Sequence, residues 1–334
     1  MSFKQFDNED VIVSADSISS TVWSTDTYSL TTFETSSTQE AATSGDYYLN
    51  VYQTGSALST AATQFSIAYG HKDGLGSTPY NANVAGKAPT STIFGQYRNL
   101  VLGDEEKELL FGGIASTKGF YAITVDRARY KEKLLPGTFS LSFADGSQTV
   151  VLTDNSAQTS TVSYNDAGRV YQVISGSAGT AHDGGTGFSS TNGYVASFGL
   201  FLPDIGVILL NAQALDNHLP NLNFTTGSVI AGTGNNGLLQ TRITNFSMNS
   251  EETISSNYVF VRVRNGEFNY SNNPSNITGS GELRHNSMVN NPQSYITSVG
   301  LYNDNNDLLG VAKLSKPLLK DFTKEALVRI KLDY

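Results

Sequence analysis

The sequence predicts an all-β protein: an antiparallel, sandwich-like body with a β-rich insertion and few short helices. Aromatic residues make up 10% of the 334 residues, including 17 tyrosines and 17 phenylalanines, and such side chains fit pleated sheets. Only 39% of residues are hydrophobic and 15% are charged, while 31 glycines and many Ser, Thr and Asn fill the difference. Short apolar runs recur between these polar turn residues, which is typical of many short strands.

Strands in the first half of the chain are predicted from aromatic and β-branched residues in alternation. The alternation at 22–33 predicts a pair of strands, and Asp145-Gly146 predicts a hairpin turn after the strand at 138–143. The other predicted strands are 46–53 (DYYLNVYQ), 63–69, 109–111, 120–125 and 148–152.

Two segments carry helical features. Residues 90–102 (TSTIFGQYRNLVL) have apolar residues at mixed spacing and fit either a helix or a strand. Residues 126–135 (DRARYKEKLL) give the best helical turn, because Asp126 can cap its start and Pro136-Gly137 stops it.

Glycine, serine and asparagine punctuate the second half more densely. A Gly-rich loop is predicted at 175–193, and Pro203-Asp204-Ile205-Gly206 breaks the very apolar segment 194–210 into a buried hairpin. Further strands are predicted at 222–230, 238–248 and 258–263, before a loop at 265–281.

The C-terminal residues 294–334 predict two successive β-ladders. The strand 294–302 turns at 303–306 (NDNN) and returns antiparallel through 307–314, while 326–332 alternates Ala, Val and Ile with Leu327, Arg329 and Lys331. We therefore expect three segments in the chain: an N-terminal β body at 1–174, an insertion at 175–285, and C-terminal strands at 286–334 that return to the body.

Residues that could support catalysis or bind a cofactor do not form a recognisable pattern. The chain has no cysteine, and its four histidines lack zinc-ligand spacing. The Gly-rich segments do not match a phosphate-binding loop, and the adjacent carboxylates, such as Glu251-Glu252, fit solvated turns. We therefore predict no catalytic residue, no cofactor and no metal, and hence no enzyme.

Charge and hydropathy exclude two further classes of partner. A net charge of −9 argues against wrapping nucleic acid, and no apolar run is long enough for a membrane span. Cationic residues concentrate at 127–133 and along 313–331. They fit either solubilising charge on edge strands or a basic face that docks on an acidic neighbour, and both interpretations predict exposed lysines.

Seven stretches, in order along the chain, carry a resemblance to a known family. They are 65–77 (FSIAYGHKDGLGS), 93–102, 121–130, 170–180, 198–210 (FGLFLPDIGVILL), 258–274 and, most specifically, 299–317 (VGLYNDNNDLLGVAKLSKP). Together they resemble a family of virion structural proteins of large T4-like tailed bacteriophages. The resemblance implies a part of the contractile tail or baseplate and supplies no catalytic residue.

The function expected from these observations is a virion scaffold that is assembled in the host bacterial cytoplasm. It would join other virion proteins and copies of itself through loops, strand edges and a basic C-terminal face. The alternative is a receptor- or glycan-binding tail-fibre component, in which Tyr47, Tyr48, Tyr52 and Tyr80 stack on host surface sugars; a head- or neck-associated protein is the third. The candidate interface residues are His71, Lys72, Asp73, Arg98, Arg127, Arg129, Lys313, Lys316 and Lys320.

Overall fold

The computed structural model of the chain describes residues 4–35, 48–76, 88–112, 115–144, 148–182, 197–218 and 234–333. It confirms a mainly β protein, with 47% strand against 14% helix. By contacts the chain forms two compact units: a larger unit, Ile18–Glu252, and a smaller unit made of Met1–Ser17 and Thr253–Tyr334.

The described strands are mostly short, as the dense turn residues predict. In chain order they are β1 (Val11–Thr21), β2 (Ser29–Leu30), β3 (Glu34–Thr35), β4 (Tyr48–Tyr52), β5 (Thr63–His71), β6 (Leu110–Phe111), β7 (Ala115–Ser116), β8 (Gly119–Val125), β9 (Lys133–Leu134), β10 (Ser140–Ala144), β11 (Thr149–Asp154), β12 (Ser163–Asn165), β13 (Gly168–Ser177), β14 (Thr180–Ala181), β15 (Gly199–Leu202), β16 (Val207–Asn211), β17 (Ile243–Ser247), β18 (Asn249–Val263), β19 (Ser294–Tyr302), β20 (Leu308–Lys320) and β21 (Ala326–Asp333). The helices are α1 (Pro89–Leu102), α2 (Ala212–His218), α3 (Gly234–Arg242) and α4 (Ser287–Asn290).

The larger unit is built on a 13-stranded antiparallel sheet curled into a half-barrel. Its main path runs β2-β17-β10-β11-β13-β15-β16-β8-β5-β4-β3, with β12 and β14 attached to β13. The short strands β6 and β7 pair with each other outside this sheet. Neighbouring strands along the path are antiparallel, and some of them, such as β10 with β11 and β15 with β16, are consecutive in the chain.

The central strands of this sheet are buried on both faces. On one face Ile67 and Ile123 join a core of aromatic side chains, in which Trp23 lies 4.9 Å from Phe246 between ring centroids. On the other face Ala68 and Ala122 join a second core. Burial on both faces explains why the sequence of β15 and β16 is almost continuously apolar.

Helix α1 covers the second core, which settles the choice between helix and strand at 90–102. Pro89 stands in its first turn, where no backbone N–H is needed, and Gly103 ends it with φ of 60°. Ile93 and Phe94 are buried against this core, so they are packing residues of the larger unit.

The smaller unit contains most of β1 and β18 and all of β21, which pair in the order β1-β18-β21, together with a two-stranded ribbon, β19-β20. The first residues of β18 pair with β9 and belong to the larger unit. Alternate residues of β18 and β21, such as Val259 and Ile330, pack with Leu301 of the ribbon. The buried alternation of Ala326, Val328 and Ile330 confirms the pattern expected at 326–332.

Several predicted elements have different structures. Segment 126–135 forms only a single 3-10 turn, Arg127–Arg129, before β9, although the Asp126 side chain does cap it by accepting from the Ala128 N–H at 2.8 Å. The strand pair at 22–33 is wrong: β1 ends at Thr21, and a turn with Asp26 at φ of 55° precedes the short β2. Segment 238–248 begins in α3 and becomes β17 only at Ile243.

Other predictions fall partly or wholly outside the described residues. These are the strand at 222–230, the hairpin turn at Asp145-Gly146 and most of the Gly-rich loop, whose first residues belong to β13 and β14. The expected boundary between 174 and 175 lies within β13, and the contact-based units divide the chain at other positions. The three-segment organisation stays a prediction.

Gly199 provides a test of packing between β15 and β16. A Cβ at this position would lie 2.0 Å from the Leu209 carbonyl oxygen, and backbone cannot move aside cheaply. We expect Gly199→Ala to lower the free energy of unfolding by about 1–3 kcal/mol in urea titrations. Gly55→Ala, where no atom lies within 4 Å, is the matched control and should stay within about 0.5 kcal/mol of wild type. Equal stabilities of the two variants would contradict this packing.

Candidate functional site

The structure places the candidate interface residues in two units. His71, Lys72, Asp73 and the three arginines belong to the larger unit, whereas Lys313, Lys316 and Lys320 belong to the smaller one. No cluster of three or more His, Cys, Asp or Glu within the described ranges could hold a metal ion.

His71 lies at the buried end of β5, and the next two residues, Lys72 and Asp73, form ion pairs within the larger unit. Its Nδ1 accepts from the Asp73 backbone N–H at 3.1 Å, and burial lowers the pKa of His71 despite the nearby Asp73 carboxylate. Asp73 also accepts from Lys118 Nζ at 2.9 Å, and Lys72 pairs with Glu108 at 3.7 Å. These charges are therefore compensated locally.

The three candidate arginines differ in exposure, because Arg98 and Arg129 are half-buried whereas Arg127 is exposed. The Arg127 guanidinium donates to the Tyr130 carbonyl oxygen and lies over the Tyr130 ring, 4.7 Å from its centroid. The Nε atoms of Arg98 and Arg129 are buried and make no hydrogen bond within the described part of the chain. Arg127 thus stabilises its own turn, and its charge is only partly available to a partner.

Lys320 corrects the expectation that the C-terminal lysines are exposed. Its side chain is fully buried, and Nζ donates to the Asn265 carbonyl at 2.9 Å, Asn269 Oδ1 at 2.7 Å and the Asp321 carbonyl at 3.0 Å. Three oxygen acceptors thus satisfy the three N–H donors of one ammonium group. Of the three candidate lysines in the C-terminal region, Lys313 and Lys316 are exposed and fit the predicted basic face.

Exposed apolar residues on the β19-β20 ribbon were missed in the sequence analysis. We define the ribbon face as Leu309, Val311, Lys313 and Ser315, which alternate with the inward Ala312 and Leu314. Leu309 is 70% and Val311 63% exposed. The signal was present in LLGVAKL at 308–314, where apolar residues occupy both alternating sets instead of one.

A groove of about 980 Å³ also lies in the smaller unit. Its apolar lining includes Phe6, Val261, Phe268 and Val299, and its rim includes Asp304. It is lined by residues from β18 and β19 and from the segment between them, but no set of its side chains resembles a catalytic arrangement.

The tyrosines proposed for glycan stacking are only partly described. Tyr48 is 47% exposed, and Tyr52 is half-buried on the same face of β4, opposite the buried Leu49 and Val51. Tyr47 and Tyr80 lie outside the described residues.

Comparisons with known proteins found no match for this chain. No family model matches it, and no curated protein or solved structure matches significantly. Within the residues that the structure describes, no helix is long and apolar enough to cross a membrane.

The Arg169–Asp204 pair gives the larger unit a pH-dependent contact. Arg169 donates through Nε at 2.9 Å and Nη2 at 2.7 Å to Asp204 Oδ1, and its backbone N–H donates to Oδ2. Burial raises the pKa of Asp204, but these hydrogen bonds and the guanidinium charge outweigh it and hold the pKa below its usual value. The pair fixes the 203–206 turn to the start of β13.

Replacing Asp204 should remove a pH-dependent part of the stability. A lowered carboxyl pKa stabilises the fold above the unfolded pKa of about 4, and this contribution is lost as the pH falls through the folded pKa. We expect Asp204→Asn to cost about 1–2 kcal/mol at neutral pH, and the difference from wild type to shrink towards pH ~3. Urea unfolding between neutral pH and pH ~3 measures this difference in the free energy of unfolding. Glu105→Gln, a substitution at an exposed carboxylate, is the control. If the stability difference between Asp204→Asn and wild type does not change with pH, the Arg169–Asp204 pair makes no pH-dependent contribution to the fold.

Lys320 can be tested for a structural role against an interface role. We expect Lys320→Met to lower the free energy of unfolding by about 1–3 kcal/mol, because three oxygens, two of them in buried hydrogen bonds, lose their donor. Lys316→Met, at an exposed position of the same strand, is the control and should leave stability unchanged. If Lys320→Met unfolds at the same urea concentration as wild type, the buried ammonium contributes nothing to the fold.

Proposed function

We propose that the chain is a non-enzymatic structural component of a tailed-phage virion, a tail or baseplate scaffold that joins neighbouring particle proteins. The observation that carries the proposal is the exposed apolar ribbon face, because it fits a permanent contact with a neighbour. The resemblance of 299–317 to virion structural proteins supports it, since this stretch contains the β19-β20 turn and the whole ribbon face.

The ribbon face has the properties of a surface that another protein covers. A two-stranded ribbon is marginally stable unless it packs on something. Its inner residues pack on β18 and β21, but Leu309 and Val311 remain in water. Each such side chain gains about 1.5–3 kcal/mol when it is fully buried, so a partner that covers both stabilises the contact. Lys313 on the same face would orient the partner by its charge.

The larger unit fits the role of a rigid support. Both faces of its central strands are packed, so the sheet can hold neighbouring loops in fixed positions without offering an apolar face of its own. Its partners would be other virion proteins and copies of the same chain, assembled in the host cytoplasm and retained in the particle.

Receptor or glycan binding by a tail fibre is the second candidate. The shared orientation of Tyr48 and Tyr52 on β4 favours it, because two rings on one strand face could stack on neighbouring sugars. Saturable glycan binding that is lost in Tyr48→Ala would replace the scaffold proposal with this one.

Substitutions on the ribbon face test the scaffold. We expect Leu309→Asp combined with Val311→Asp to reduce incorporation into particles at least ~10-fold, because burying two unpaired carboxylates at a contact is costly. Incorporation is measured by quantitative mass spectrometry of purified particles assembled with the variant in place of the wild-type chain.

The matched control is Tyr164→Asp, which introduces a charge in the larger unit at an aromatic residue that is 72% exposed. It should be incorporated normally. Circular dichroism of each variant establishes that it folds. Normal incorporation of the folded double variant would refute the role of the ribbon face.

A further inference from the structure

The outward face of the β18-β21 sheet forms a second surface of the smaller unit. The antiparallel register places Tyr258 opposite Lys331, Phe260 opposite Arg329 and Arg262 opposite Leu327. Residues directly opposite one another in a ladder share a face. We name these six residues the arginine–aromatic face; their alternates, such as Val259 and Ile330, point into the core of the unit.

The positive charges of this face are only partly compensated. The Arg329 guanidinium lies 5.6 Å from the centroid of the Tyr258 ring, and Lys331 Nζ lies 5.9 Å from it. Lys331 Nζ forms an ion pair with Asp333 Oδ1 at 2.9 Å, and the carboxylate of Asp16 on β1 also interacts electrostatically with it. Among the described residues, neither Arg262 nor Arg329 has a carboxylate partner within salt-bridge distance.

The composition of the face is that of a protein-binding surface. Arginine and aromatic residues are enriched at the centres of protein interfaces, where they account for most of the binding energy. Leu327 adds an apolar side chain that is 59% exposed. A partner for this face needs uncompensated carboxylates next to exposed apolar side chains.

The same chain carries a surface of that kind on the larger unit. The smaller unit is close to neutral, so nearly all of the net charge of −9 belongs to the larger unit. The loop 104–108 (DEEKE), between α1 and β6, is its densest run of acidic residues. We name this segment the acidic loop.

Two carboxylates of the acidic loop are available to a partner. Asp104 pairs with Lys107 at 3.5 Å, and Glu108 pairs with Lys72 at 3.7 Å. Glu105 and Glu106 are exposed, and their carboxylates make no ion pair within the part of the chain that the structure describes. Leu100 and Leu110, on the elements that flank the loop, are each 42% exposed.

We propose that the arginine–aromatic face of one copy binds the acidic loop of a second copy. Arg262 and Arg329 meet Glu105 and Glu106, and Leu327 packs with Leu100 or Leu110. Because the two surfaces differ, the contact is heterologous, and successive copies form a closed ring or an open chain. The inference rests on the proposed scaffold role and adds the surfaces through which copies join. Duplex DNA is disfavoured as the occupant by the net negative charge of the chain.

A charge exchange in the full-length chain tests this contact. Sedimentation velocity at about 50 mM salt should show association of the wild type, and about 500 mM salt should weaken it, because exposed charges are screened. R262E/R329E alone and E105K/E106K alone should each associate at least ~10-fold more weakly. An equimolar mixture of the two should associate again, since each variant retains the native surface that the other has lost.

The matched control is E9K/E282K, which makes the same change in charge as E105K/E106K at two exposed positions outside both surfaces and should associate as wild type does. If R262E/R329E does not fold by circular dichroism, Arg262→Gln with Arg329→Gln takes its place and should show the same weakening.

Three results would overturn the contact between copies. They are a monomeric wild type at low salt, variants that associate as wild type does, and a mixture that stays monomeric. Duplex DNA that co-sediments with wild type but not with R262E/R329E would assign the face to nucleic acid instead. Particle incorporation of the ribbon-face variant is a separate readout, so failure of this contact and failure of the scaffold role are distinguishable.

Discussion

Burial of both faces of the central strands is the constraint on which the rest of the larger unit depends. Because β5, β8 and β16 pack an aromatic core on one side and α1 with its core on the other, the sheet has no free central face. The chain has no cysteine to stabilise it otherwise, so its stability comes from this burial and from hydrogen bonding. Surfaces for binding are consequently left to loops, to edge strands and to the smaller unit.

The smaller unit shows the complementary situation, because its strands are buried on one face and exposed on the other. Its core is small, and the outward positions carry apolar, aromatic and cationic side chains in place of the polar residues that usually face water. Two such faces, the ribbon face and the arginine–aromatic face, are separate sets of residues with different chemistry. They fit an assembly protein that makes more than one kind of contact.

The sequence predicted the elements whose signal is local. Alternation at 326–332 and the Pro203–Gly206 turn both appear in the structure, since a strand period and a turn residue act over a few residues. The helix at 90–102 stayed ambiguous because its packing against β5 and β8 is a tertiary contact. Lys320 was misjudged for the same reason: the oxygens that hold it come from Asn265 and Asn269, about fifty residues away. The exposed ribbon residues were missed because apolar residues occupy both alternating sets of 308–314, so the pattern indicates an exposed apolar face but not which of the two faces it is.

The position of the chain in an intact particle tests the central claim most directly. Electron cryo-microscopy of assembled virions would locate the two units and their neighbours. The scaffold account predicts density for the chain in the tail or baseplate, with Leu309 and Val311 covered by an adjoining protein. A chain found on an outward tip with the ribbon face in solvent, or missing from the particle, would contradict it.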